Sequence, residues 1–128
     1  MSSPALHRRV SMVALVALGG AAGAMARAGV AAAMHAPWAT LTVNLVGAFV
    51  LGGLLEFFTR AGDRPAWRLL LGTGFCGAFT TYSTFAREVA ERSAGSGVGL
   101  AAAEVALGLA AAAAGAVVTA RWAPRSSA

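Results

Sequence analysis

Four long apolar stretches set the limits on what this chain can fold into. They cover residues 10–34, 40–58, 67–89 and 97–120, and short polar connectors separate them. A helix needs roughly 20 apolar residues to cross about 30 Å of hydrocarbon, so each stretch is long enough to span a bilayer. The sequence therefore predicts an all-α integral membrane protein, with four transmembrane helices in a single domain over residues 1–128.

The composition supports a membrane protein and excludes several other classes. Of the 128 residues, 58% are hydrophobic and 12% are charged, which is too apolar for a solvated domain. The net charge of +5 comes from basic residues that flank the apolar stretches, so we expect a lipid bilayer and no nucleic acid as partner. The single cysteine, Cys76, excludes an intrachain disulfide or a cysteine metal site, and without paired carboxylates or a histidine near a nucleophile we predict no enzyme.

The first apolar stretch has an alternative interpretation as a cleavable secretory signal. Arg8 and Arg9 precede an apolar run that reaches Ala24, Met25 and Ala26, which resembles a signal peptide with its cleavage site. The apolar run continues to residue 34, beyond the roughly 7 to 15 residues of a signal core. This length favours a membrane span.

The distribution of arginine predicts the orientation of the chain. With four spans, the N-terminus, the second connector and the C-terminus share one side of the membrane. That side carries Arg8, Arg9, Arg60, Arg64, Arg68, Arg121 and Arg125, against Arg92 and at most Arg87 on the other. The positive-inside rule then places both termini in the cytoplasm, for a protein of the inner (plasma) membrane.

Small residues four positions apart predict that the helices approach each other closely. Such pairs occur at Gly19 and Gly23, Gly20 and Ala24, and Ala48 and Gly52. Small side chains let helix backbones come together in a membrane.

The third stretch is interrupted by a polar, glycine-flanked segment. Residues 72–88 read GTGFCGAFTTYSTFARE, in which three glycines precede five adjacent hydroxyl residues. This composition weakens a helix and predicts a break near residues 77–81. Broken backbone at membrane depth must line a cavity or be buried in protein, and its free carbonyls and amides are ligands for cations and anions. The alternative is that the hydroxyls only bond back to the preceding helical turn.

Two polar side chains inside other apolar stretches add to this signal. Asn44 lies in the middle of the second stretch, so it either bonds between helices or faces a polar path, where its amide could donate to an anion. Arg27 lies within the first stretch. It either extends its charge to the membrane surface or lines an aqueous vestibule that attracts anions.

Aromatic residues recur every three or four positions through the interrupted segment, at Phe75, Phe79, Tyr82 and Phe85. This spacing predicts one stripe along a helix. Such a stripe either packs against other helices or turns its electropositive ring edges toward a small anion.

Three motifs together resemble the Fluc fluoride channels of the CrcB-like family. They are GGAAGAMAR at 19–27, TLTVNLVGAFVLG at 40–52 and GFCGAFTTYSTFARE at 74–88, and they cover the first three stretches in order. The resemblance implies a fluoride-selective channel that gives passive fluoride efflux and fluoride resistance. It also implies an antiparallel, dual-topology dimer with two pores at the subunit interface and a structural sodium ion shared at its centre.

The resemblance also assigns roles to individual residues. Gly77 and Thr80 would give backbone carbonyls to sodium. The fluoride path would be lined by Asn44, Tyr82, Ser83, Thr84 and Phe85. To these we add two residues from the patterns above, namely Phe79 of the aromatic stripe for the path and Arg27 for the vestibule.

Two positions depart from the family pattern. Tyr82 stands where the family has a phenylalanine, and Glu104 stands where its fourth span usually offers a tyrosine. An ionised Glu104 would repel fluoride, so it is either protonated or paired with an arginine of a partner.

Three alternatives remain open at the level of sequence. The arginine bias is compatible with a heterodimer in which this chain pairs with an oppositely oriented homologue, rather than with a homodimer. A non-conducting subunit of such a heterodimer is the second alternative. The third is a small multidrug-type exporter, but that class relies on a carboxylate in its first span and none is present here.

Overall fold

The chain folds into helices joined by short connectors. The computed structural model describes residues 4–62 and 64–123, and Arg125, one of the arginines used above for orientation, lies outside them. The long helices are α1 (Pro4–Ala33), α2 (Trp38–Ala61) and α6 (Ala94–Trp122), and the shorter elements between α2 and α6 are α3 (Pro65–Trp67), a π-helix (Arg68–Cys76), α4 (Gly77–Phe79) and α5 (Tyr82–Ala90).

Three of these helices are long and apolar enough to cross a membrane. They comprise residues 6–33, 38–61 and 94–122. Large apolar side chains point outward along them, as Val13, Leu18 and Leu109 do, each being more than 60% exposed. Such a surface is suited to lipid rather than to water, so the chain is an all-α, multi-pass membrane protein.

The third apolar stretch is divided into short helices. Pro65 starts it at the first position of α3, where a missing amide costs nothing. The next nine residues wind as a π-helix, whose wider turn is closed by a bond from the Gly77 amide to the Gly72 carbonyl. The helix then stops at Thr80 and Thr81, both in extended conformation. The break therefore lies within the predicted interval 77–81.

Glycines allow the helices to touch through their backbones. A Cβ atom at Gly19 would overlap the Leu70 carbonyl, and one at Gly23 would overlap the Phe75 carbonyl, so α1 rests directly on the π-helix. Gly52 meets the backbone of α6 in the same way. The predicted close approach at these small residues is confirmed, and it fixes α1 and α2 around the break.

Candidate functional site

The break between α4 and α5 is the centre of the candidate site. Thr80 and Thr81 have ψ angles of 159° and 117°, which leave the helical region. The Thr80 hydroxyl bonds back to the Cys76 carbonyl at 3.0 Å, whereas the Thr81 hydroxyl accepts a bond from the Thr84 amide at 3.3 Å and so caps α5. The Thr80 hydroxyl thus bonds back to the preceding helical turn, as one of the two alternatives predicted, whereas the Thr81 hydroxyl starts the next helix.

Asn44 of α2 binds both polar backbone groups of Thr81. Its Oδ1 accepts from the Thr81 amide at 2.9 Å, and its Nδ2 donates to the Thr81 carbonyl at 3.3 Å. Extended backbone inside a membrane protein must find such partners, because water and neighbouring helical turns do not supply them. Asn44 therefore joins α2 to the break, and this pair of bonds fixes where the break lies.

Two backbone carbonyls are released by this arrangement. In a continuous helix the Thr81 amide would bond the Gly77 carbonyl and the Thr84 amide would bond the Thr80 carbonyl. These amides donate instead to the side chains of Asn44 and Thr81. The Thr80 carbonyl is approached by Arg27 Nη1 at 3.5 Å. A positive group already lies beside the Thr80 carbonyl, and backbone oxygens of this kind are also ligands for a hard cation.

A first cavity, of about 270 Å³, lies on the α1 side of the break. The Arg27 guanidinium lines it, together with the side chains of Thr40, Ser83 and Thr84. Hydroxyl groups are close to one another here, since Thr81 Oγ1 lies 3.1 Å from Thr84 Oγ1 and 3.4 Å from Ser83 Oγ. One fixed cation and several hydroxyl donors make this cavity suitable for an anion.

A second cavity, also of about 270 Å³, lies on the α6 side of the break. Asn44, Tyr82, Phe85 and Glu104 line it, and Thr81 borders both cavities. The rings of Tyr82 and Phe85 are 6.1 Å apart with a 51° tilt. Tyr82 is 79% exposed, so this cavity opens at the surface of the single chain.

The four predicted aromatic residues do not form one stripe. Phe75 stacks on Phe79 with 5.7 Å between ring centroids, while Tyr82 and Phe85 form a separate pair. Phe79 is buried and lies against Gly47, behind the break rather than among the side chains that line either cavity. The prediction of a single stripe was wrong because the extended residues at the break change the rotation between the two helices.

Two carboxylic acids are buried near the break. Glu88 Oε1 accepts a bond from the Thr40 hydroxyl at 2.7 Å, while its Oε2 has no partner among the described residues. Glu104 is 8% exposed, and its Oε1 also has no partner among them. The sequence singled out Glu104 but missed the Thr40–Glu88 pair.

Most of the predicted site residues therefore meet at the break. The residues that lie on it or line one of its two cavities are Arg27, Asn44, Thr80, Tyr82, Ser83, Thr84 and Phe85. Gly77 begins α4 just before the break. Within residues 4–62 and 64–123, no cluster of three histidine, cysteine or acidic side chains exists that could hold a metal, so a bound cation would depend on backbone oxygens.

Known proteins with related sequences carry names that bear on this site. Residues 14–117 match the family described as CrcB-like protein, Camphor Resistance (CrcB). The chain is 46% identical over 101 residues to fluoride-specific ion channel FluC 1 of Cutibacterium acnes, an alignment that covers 72% of this chain and 71% of that protein.

Two further relatives have shorter alignments. FluC 1 of Yersinia pestis is 51% identical over 80 residues, covering 58% of this chain and 63% of that protein. FluC of Klebsiella pneumoniae is 59% identical over 54 residues, covering 41% of this chain and 42% of that protein. The chain thus matches less than two thirds of the length of these last two proteins.

Proposed function

Because this chain belongs to the CrcB-like family, we propose that it is a fluoride-selective channel that gives passive fluoride efflux and fluoride resistance. Relatives named as fluoride-specific channels support this function. Within the chain, the observation that carries it is the break at Thr80 and Thr81, held by Asn44 between two cavities. Fluoride enters cells as neutral HF and dissociates inside, so a passive ion path is sufficient to release it.

The broken region completes a fourth crossing of the membrane. Its 26 residues, from 65 to 90, would extend about 39 Å at 1.5 Å per residue, enough for about 30 Å of hydrocarbon. Both termini then lie on the side that carries most of the arginines, which is the cytoplasmic side of the plasma membrane.

A second subunit in antiparallel orientation covers the second cavity. Tyr82 is 79% exposed beside the half-buried Asn44 and the buried Glu104, and a polar cavity open to lipid is unfavourable. An oppositely oriented subunit would close two such cavities at one interface and form two pores. The partner is a second copy of this chain or, given the arginine bias, an oppositely oriented homologue.

Sodium would be held by the carbonyls of Gly77 and Thr80 from both subunits. The described residues fit this role once Arg27 Nη1, which lies 3.5 Å from the Thr80 carbonyl, moves away, because the amides of Thr81 and Thr84 no longer bond these oxygens. Unwound carbonyls are the usual protein ligands of sodium in broken membrane helices. When bound, the ion supplies a central positive charge that ties the two breaks together.

Fluoride would reach the break through the first cavity and leave through the second. Arg27 attracts the anion, and the hydroxyls of Ser83 and Thr84 begin to replace its water. Asn44 forms the wall between the cavities, and the ring edges of Tyr82 and Phe85 line the far side. Selectivity arises because several donors in a narrow passage replace the tight hydration of fluoride, whereas the larger chloride ion is excluded.

The other functions have less support. A multidrug-type exporter needs a carboxylate in the first span, and α1 has none from residue 6 to residue 33. A non-conducting subunit remains a distinct outcome of the experiment below.

The test is fluoride efflux from liposomes that contain the purified chain, followed with a fluoride electrode while an ionophore carries the counter-charge. We expect fluoride but not chloride to be released, and Phe85→Ile to slow the release severely. Liposomes without protein measure the leak of HF. Normal flux by the chain alone excludes an obligate partner, and flux only after co-expression with an oppositely oriented homologue identifies a heterodimer. Absence of flux in both cases overturns the channel.

A further inference from the structure

Glu104 places a buried acid directly at the second cavity. The side chain is 8% exposed, and it lines the cavity together with Asn44, Tyr82 and Phe85. Asn44 lies within hydrogen-bonding reach of the Glu104 carboxyl, while Oε1 of that carboxyl has no partner among the described residues. One oxygen of a buried acid therefore has no hydrogen-bond partner among the described residues, in a residue that lines the proposed ion path.

The described groups that surround Glu104 supply no positive charge. Helix α2 presents the uncharged carboxamide of Asn44, and α5 presents Tyr82 and, nearby, a second acid, Glu88. Arginine and histidine are absent from the described residues that line this cavity. The fixed cation of the site, Arg27, lines the first cavity instead. A buried carboxylate without a cation is unfavourable, and a second acid nearby makes it more so.

Neutral Glu104 also supplies a donor that Asn44 lacks. The carboxamide uses Oδ1 and one N–H of Nδ2 on the backbone of Thr81, and its other N–H is within reach of Glu104. A carboxylic acid has one O–H donor, and Oε1 has no hydrogen-bond partner among the described residues that could accept its proton. Fluoride is the halide that accepts hydrogen bonds most strongly.

We propose that Glu104 contacts fluoride directly, as a neutral carboxylic acid whose O–H at Oε1 donates a hydrogen bond into the second cavity. This inference rests on the proposed fluoride channel and adds a specificity-determining residue to it. The ionised form of the same side chain would expel fluoride from the cavity by charge repulsion. Fluoride conduction is then greatest when Glu104 is protonated, and it falls as the pH rises through the titration of this group.

The experiment measures fluoride flux with equal pH on both sides of the liposome membrane, from about pH 5 to about pH 8. Above the midpoint of the Glu104 titration, wild-type flux should fall about tenfold per pH unit, because the neutral fraction falls by that factor. Glu104→Gln keeps the size and an N–H donor but cannot ionise, so its flux should stay constant over this range. Liposomes without protein correct for HF leak at each pH.

Two control variants show whether the effect belongs to Glu104. Glu91→Gln neutralises an exposed acid that pairs with Arg87 at 3.7 Å outside the cavities, and Glu88→Gln neutralises the neighbouring buried acid. Both variants should keep a fall in flux with rising pH. Glu88→Gln should shift the midpoint to lower pH, because removing a negative charge near Glu104 makes its ionised form less unfavourable.

A flat pH profile in the conducting wild type overturns the role of Glu104 and leaves the channel in place, whatever the variants do. An unchanged pH dependence in Glu104→Gln overturns it as well. Absence of wild-type flux at every pH, both with the chain alone and with an oppositely oriented homologue, overturns the channel and this inference together.

Discussion

The two cavities on either side of the break are equal in size but differ in the groups that line them. Each has a volume of about 270 Å³, and Thr81 borders both. The first is lined by Arg27 and hydroxyl groups, and the second by Glu104 and aromatic rings. An anion would therefore meet attraction by charge on one side of Asn44, and hydrogen bonds with ring edges on the other.

The largest effect is expected from Asn44→Leu, which removes the carboxamide that holds the break between the two cavities. The amide and carbonyl of Thr81 would lose their partners, at about 1–3 kcal/mol for each buried group. The break would rearrange, and fluoride flux should fall about a hundredfold, because about 2.7 kcal/mol corresponds to that factor. The liposome assay measures it.

Thr59→Val is the matched control for that change. It removes a polar group from the same helix, but the Thr59 hydroxyl bonds only the Leu55 carbonyl one turn earlier. Its flux should equal that of the wild type. If Asn44→Leu also conducts normally, the two cavities are not parts of one path.

Arg27→Gln tests whether the first cavity attracts anions by charge. Its flux should fall about tenfold at low salt, because a fixed charge raises the local anion concentration by at least this factor. The loss should shrink as the salt concentration increases and screens the charge. Flux measured at several concentrations of an inert salt distinguishes this effect from a general loss of structure.

The exposed Arg92 provides the control, since Arg92→Gln removes the same charge outside the cavities. A loss of flux in Arg27→Gln that does not depend on salt would remove the electrostatic contrast between the two cavities. The Arg27 contact with the Thr80 carbonyl would then be its main role.

A smaller effect is expected from Gly47→Ala, which presses on the break from α2. The added methyl would overlap Thr80 Cγ2, so Thr80 must move. Overpacking of this kind costs about 1–3 kcal/mol, which thermal unfolding in detergent would detect as a lower Tm. Gly29→Ala, which meets nothing within 4 Å, should leave Tm unchanged. Equal Tm values for both variants would show that the break adapts to its surroundings.

The smallest effect is expected from Thr40→Val at the edge of the first cavity. The Glu88 carboxyl would lose its bond from the Thr40 hydroxyl, and loss of such a bond costs about 1 kcal/mol. Tm should fall slightly more than in Thr42→Val, which alters a threonine of the same helix two residues away. An identical Tm in the two variants would show that Glu88 finds another partner.

The sequence located the break but not its detailed form. Glycine and hydroxyl residues weaken a helix through local properties, so the position near residues 77–81 could be predicted from composition alone. The π-helix at Arg68–Cys76 could not, because it depends on how α1 presses on the backbone through Gly19 and Gly23. The prediction of one aromatic stripe was wrong for a related reason, because helical periodicity applies only to a continuous helix.

The sequence predicted the roles of the polar residues only in part. The sequence allowed Asn44 either to bond between helices or to face a polar path. Its bonds to Thr81 show that it joins helices, and it does so at the edge of the second cavity. The Thr40–Glu88 bond joins residues 48 positions apart, and nothing in local sequence pairs them. The acid Glu104 stood out because it interrupts an apolar helix, but its surroundings depend on α2 and α5.

The bonds between Asn44 and Thr81 also bear on how the protein assembles. An unwound segment in hydrocarbon is unstable when its backbone amides and carbonyls have no hydrogen-bond partner until a second subunit binds. Here the amide and carbonyl of Thr81 are both satisfied by a side chain of the same subunit. A newly inserted monomer can therefore hold its unwound segment in place while it diffuses in the bilayer, and subunit pairing joins surfaces that are already formed.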